Sequence, residues 1–113
     1  MTDRELLELA TRAAGIPGYW AEDINEYITP CNKYQTRRRG DYVIWNPLTD
    51  DGDALRLAVN LGIVVSAGSK ENRFVCANPD SKAQILEERR PDPFAATRRA
   101  IVRAAAEIGE EVK

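Results

Sequence analysis

Three aspartates crowd one glycine in the stretch DDGD, where Asp50, Asp51 and Asp53 surround Gly52. Two chemistries compete for them. A calcium loop of the EF-hand kind needs oxygen ligands at alternating positions before its glycine and a glutamate six residues after it. Only Asp50 and Asp51 stand directly before Gly52, and the sixth residue after it is Ala58. The spacing fits a helix start better: Asp50 or Asp51 caps the first turn, and Asp53 complements the positive end of the helix dipole. No metal is assigned to the chain.

A second stretch, KYQTRRRG, gathers Lys33, Arg37, Arg38 and Arg39 with no acid between Tyr27 and Gly40. Guanidinium groups beside Tyr27 and Tyr34 have the chemistry to grip phosphates and stack bases. The same charges would also serve as a solvated loop or as the guard of a sheet edge. Arg89, Arg90, Arg98 and Arg99 form a second basic set. Trp20 is the aromatic best suited to anchor an interface, where tryptophan is enriched. Tyr19, Phe94 and Trp45 are read as core. The residues assigned to partner or phosphate binding are therefore Trp20, Tyr27, Lys33, Tyr34, Arg37, Arg38 and Arg39.

Catalytic groups are scarce by the same reading. The two cysteines, Cys31 and Cys76, lie far apart, and the chain has no histidine to activate a thiol or complete the common zinc sets. Reduced thiols are expected, without a secretory context to pair them. AGSKEN lacks the spacing of a phosphate-binding P-loop. No catalytic residue and no cofactor is assigned, and the chain is read as not an enzyme.

These residues need elements to hold them. With 113 residues, 43% hydrophobic and 30% charged, the chain suits a single domain with a core of its own. A formal charge of -2 gives no global pull toward nucleic acid. Nothing reads as a signal peptide or a membrane span, so a cytoplasmic, soluble protein without a membrane partner is expected.

Thr2 and Glu5 have capping-box spacing and AAGIP supplies a stop, which predicts a helix from Asp3 to Ala14 with Leu6, Leu9, Ala10 and Ala13 inward. Residues 17–40 show no long period and are read as an irregular segment, with a short strand near Tyr19 and Trp20. DYVIW reads as a strand. The helix after DDGD is expected to turn Ala54, Leu55, Ala58, Val59 and Leu61 inward and to stop at Gly62. IVVSA suits a strand covered on both faces, and RFVCA and AQILEE continue an antiparallel meander. Asp92 caps and Pro93 opens a last helix running to Ile108. Its stripe of Ala96 or Thr97, Ala100, Ile101, Ala104, Ala105 and Ile108 is small enough to lie close to a sheet. The expected fold is α+β, an antiparallel sheet of about four strands with helices packed on both faces, an α/β/α sandwich.

WNPLTDDGDALRLAVNLGI together with PFAATRRAIVRAAAEIG resembles small phage and prophage proteins of the NinX-like and phage ABA-sandwich group. The strand ending in an aromatic-Asn-Pro turn, the acidic helix start at Asp53-Ala54 and the closing Ala-rich helix carry the resemblance, which covers most of the chain after Asp41. It implies a central antiparallel sheet between helices and a phage-encoded accessory role, and brings no catalytic residues. The expectation for function is a non-enzymatic phage or prophage accessory protein that binds a host macromolecule, with a host protein as the expected partner, and interferes with host defence or regulation. The alternative is a nucleotide or nucleic-acid binder using Lys33 to Arg39. A homodimer is a further expectation.

Overall fold

The computed structural model describes residues 1–30, 38–39, 42–68, 73–79 and 84–112. Among them are α1 (Asp3–Ala14), β1 (Tyr19–Ala21), β2 (Glu26–Pro30), β3 (Arg38–Arg39), β4 (Tyr42–Ile44), α2 (Asp51–Leu61), β5 (Val64–Ser66), β6 (Phe74–Asn78), β7 (Ile85–Glu88) and α3 (Pro93–Glu110). The fold is α+β and its strand pairs are antiparallel.

Helix ends follow local chemistry. Thr2 and Glu5 form the capping box of α1, Asp50 caps α2 and Asp92 caps α3, each satisfying an amide that has no partner within its helix. Gly15 and Gly62 close α1 and α2 in the left-handed conformation.

The strands form two sheets, a four-stranded one in the order β1-β2-β4-β3 and a meander β5-β6-β7. This corrects the expected single sheet between helices. α3 packs on one face of the meander, over Val75, Ala77 and Ile85, and Val64, Phe74 and Leu86 stand exposed on the other. The strand in IVVSA is therefore an exposed edge rather than a doubly covered centre. An apolar run of this length reads the same in either place, because alternation is lost when both faces carry valine.

The segment around 17–40 is more ordered than its composition suggests. β1 and β2 form a hairpin with Trp20 opposite Tyr27, turning through Asn25 at a φ of 56°. Gly18 enters the hairpin at a φ of 137°, and a Cβ there would lie 2.1 Å from the Ile28 carbonyl oxygen, so only glycine fits.

The helices share one core. α3 is the central element: it packs against both other helices and the meander, burying Ala100, Ile101, Val102, Ala104, Ala105 and Ala106. Gly109 lets α1 approach, since a Cβ there would stand 2.0 Å from the Leu9 carbonyl oxygen. On α1 the buried residues are Leu6, Leu7, Ala10 and Thr11, with Leu9 only partly covered, so the stripe is rotated from the expected one. On α2, Ala54, Leu57 and Ala58 are buried and Leu61 is partly covered, and the expected inward residues Leu55 and Val59 are exposed. Positions 54, 57, 58 and 61 make the i, i+3, i+4, i+7 stripe that faces the core, which puts 55 and 59 outside it.

Candidate functional site

The turn before α2 positions the site. The Asn46 side chain accepts the Leu48 amide at 3.0 Å, and the Asn46 amide donates to Asp53 Oδ2 at 3.0 Å. Asp53 is only 2% exposed. Its other oxygen accepts Arg56 at 2.8 Å, and its amide donates to Asp50 Oδ2 at 2.8 Å. A buried carboxylate needs such partners. Asp50 and Asp53 are thus committed to the turn and the helix start, as the spacing of DDGD implied.

Arg98 then ties α3 to this turn. Its Nε donates to the Leu48 carbonyl at 2.8 Å and its Nη1 to Asp51 Oδ1 at 2.6 Å. Beside this strap lies a cleft of about 350 Å³. Ala54, Val65, Thr97 and Ile101 line it, and Leu55 and Phe94 stand beside them 64% and 67% exposed. Arg89 and Ala67 line it as well, the Arg89 Nε donating to the Ala67 carbonyl at 3.4 Å, and Asp51, Pro93 and Arg98 complete the wall on the side of the strap. Thr97 turns its hydroxyl back to Pro93 O at 2.8 Å. The result is a mostly apolar hollow with a guanidinium beside it, the usual composition of a binding site.

The exposure of Phe94 corrects its reading as core. It occupies the first turn of α3, ahead of the small-residue stripe that packs inside. Tyr19 is likewise exposed, its ring edge-on to Tyr42 at 6.4 Å between centroids. Trp45 is buried, as expected.

The sequence-assigned binding residues do not converge on this cleft. Tyr27 is 5% exposed, with its ring edge-on to Trp45 at 5.9 Å and its hydroxyl donating to Ile16 O at 3.3 Å. Its ring is thereby used by the core. Trp20 is half-buried on β1, with the Arg4 guanidinium 5.1 Å from its ring centroid. The Trp20 Nε1 is buried without a hydrogen-bond partner among the described residues. Trp20 also lines a second concavity, of about 410 Å³, with Tyr19, Ile28 and Tyr42. Arg38 and Arg39 form β3, on the edge of the sheet opposite β1. Lys33, Tyr34, Arg37 and Cys31 lie outside the described residues.

The second basic set is dispersed. Arg98 holds Asp51, Arg99 reaches Asp3 at 3.2 Å, Arg90 is exposed, and Arg89 alone of the four lines the cleft without an acid partner among the described residues. At the same end of α1 as Asp3, Glu8 and Glu22 each bond Arg4 at 2.7 Å and raise its pKa above the usual arginine value. Sequence reasoning missed Leu55, Val65 and Phe94 as cleft residues. The signal available was Leu55 and Val59 at i and i+4 beside Arg56 and Asn60, an apolar pair on a polar face.

No cluster of three or more metal-binding side chains occurs among the described residues, and none of their helices is long and apolar enough to cross a membrane. No protein-family model, curated protein or solved structure matches the chain.

Proposed function

We propose that this chain is a non-enzymatic accessory protein of phage or prophage origin that binds a host protein in the cytoplasm, and that the cleft beside Leu55 and Phe94 is the docking site. The observation that carries this is the pairing of those two large apolar side chains, exposed, with an apolar hollow. Exposed apolar groups around a concave site favour a partner that covers them. The nearby carboxylates support binding over catalysis, since Asp53 is consumed by the turn and Asp51 by Arg98. The phage setting, and a role in interfering with host defence or regulation, rest on the sequence resemblance.

The test is capture from bacterial host lysate with the tagged protein, with nuclease, comparing the wild type with Leu55→Asp and Phe94→Asp. A stoichiometric protein that survives nuclease and is lost from both variants, while their circular dichroism is unchanged, is the expected result. Retention by both variants, or recovery of nucleic acid alone, overturns the reading.

A second reading, nucleotide or nucleic-acid binding through Lys33 to Arg39, draws support from the edge position of β3. Replacing Arg37, Arg38 and Arg39 by alanine separates the two. It should abolish oligonucleotide binding that strengthens at low salt, and leave capture through the cleft intact.

A further inference from the structure

Alternation along a strand turns every second side chain to one face of its sheet. Tyr19 and Ala21 on β1 therefore share a face, and Trp20 takes the other. The register carries the first face across the four-stranded sheet, since Tyr19 stands opposite Ile28, and Ile28 opposite Ile44, two residues from Tyr42. Tyr27, Thr29 and Val43, on the other face, are buried. On the first face Ala21 and Ile28 are buried too, but Tyr19 and Tyr42 stand 56% and 39% exposed. Their rings meet at 68° with centroids 6.4 Å apart, two walls of a corner above an apolar floor. Glu22 and Asp23, both exposed, follow β1 and line the same concavity of about 410 Å³.

We infer that this corner is a binding site for a quaternary ammonium cation, whose methyl groups lie against Tyr19 and Tyr42 over Ile28, with Glu22 and Asp23 supplying the opposite charge. The site shares no residue with the cleft and does not depend on the docking reading.

The chemistry of the walls selects this class. An aromatic ring carries negative charge on its face, so two faces set at an angle both attract one cation. A lysine ammonium would bring three N-H donors to a floor of two apolar side chains. A fully methylated nitrogen brings none, and spreads its charge over groups that suit such a floor. An anion would meet two carboxylates of its own sign. The balance of charge next to the corner is negative as well, because Glu8 and Glu22 share one arginine, Arg4.

The hairpin already uses the same pairing on its other face. There the Arg4 guanidinium lies 5.1 Å from the Trp20 ring centroid while Glu22 holds it at 2.7 Å. A ring and a carboxylate thus hold an internal cation beside the corner, and Tyr19, Tyr42 and Glu22 offer the same two groups to an external one.

The test titrates the full-length protein with choline chloride at constant ionic strength, and separately with its neutral isostere, in which a carbon replaces the nitrogen. Ring resonances of Tyr19 and Tyr42 and the methyl resonances of Ile28 report binding. Choline should shift all three residues and bind at least about fivefold tighter than the isostere, and Tyr19→Leu or Tyr42→Leu should each weaken it about 2–5-fold. The phenylalanine variants should retain it. Glu22→Gln combined with Asp23→Asn should weaken it and flatten its salt dependence, with an amide spectrum showing the fold intact. Trimethyllysine, free and within a peptide, then distinguishes a small-molecule ligand from a protein side chain, the tighter binder naming the source. Equal binding of choline and its isostere, or no shift at the two tyrosines, overturns the proposal. So does choline binding that appears only in Arg39→Ala, since Arg39 stands opposite Tyr42 on β3 and would then be the cation the corner holds. A nucleotide that shifts both rings where choline does not assigns the corner to base stacking instead and overturns it too.

Discussion

The guanidinium of Arg98 lies 2.6 Å from the Asp51 carboxylate and also holds the Leu48 carbonyl at 2.8 Å, so one side chain fastens the first turns of α3 to the start of α2. The two bonds are unequal in effect. Asp51 is 70% exposed, and an ion pair in that setting is worth at most about 1 kcal/mol. The carbonyl bond sits deeper, and losing its donor leaves a polar group unsatisfied at a cost of about 1–3 kcal/mol. Arg98→Ala should therefore destabilise by about 2 kcal/mol and Asp51→Ala by less than half of that, measured by urea unfolding. Equal losses would mean that the ion pair dominates the strap.

Gly109 sets how closely α1 and α3 pack. A methyl group there meets the Leu9 carbonyl 2.0 Å away, and backbone on a packed helix cannot yield as a side-chain tip can. Gly109→Ala is expected to destabilise by about 1–3 kcal/mol, the range for overpacking, despite the better helix propensity of alanine. The denaturation midpoint in urea reads this directly. A midpoint that stays or rises would show that the helices separate at little cost.

Asp53 and Asp50 should differ although both belong to the same short motif. Asp50→Ala removes a helix cap, typically about 1 kcal/mol. Asp53→Ala strands the Asn46 amide in a partly buried turn and frees Arg56, so about 3 kcal/mol is expected. Calcium or magnesium should leave Tm unchanged. A rise in Tm that both substitutions abolish would reinstate the metal reading of DDGD.

How far the sequence led depended on whether a residue's role was local. The caps at Thr2, Asp50 and Asp92 and the stops at Gly15 and Gly62 depend on neighbours a few residues away, and were legible. Leu55 and Phe94 were misread as core because they are apolar on helices whose buried faces are apolar too. On α2 the stripe at 54, 57, 58 and 61 competes with a second apolar pair, 55 and 59, at helical spacing, and where α3 crosses α2 decides which of them is buried. Val64 and Val65 look like a central strand for the same reason: the edge position of β5 among the described residues is a matter of long-range pairing. The cleft, assembled from α2, α3, β5 and the residue after β7, was therefore out of reach, even though each of its walls was anticipated.

Glu5 gives the structure a small acid sensitivity whose sign follows from the capping box. The Thr2 amide, at 3.2 Å, and then the Thr2 hydroxyl, at 2.9 Å, donate to its carboxylate and hold its pKa below the ordinary value of 4.5. A group depressed in the folded state stabilises above its unfolded pKa, and that contribution disappears as the pH falls through the folded one. Glu5→Gln keeps an acceptor at the same position but has no charge to titrate. At neutral pH the wild type should have a slightly higher Tm than this variant, and the difference should close below about pH 4.5 as the carboxylate protonates. A difference that persists unchanged from pH 7 to pH 3 would trace the advantage to the geometry of the cap rather than to its charge.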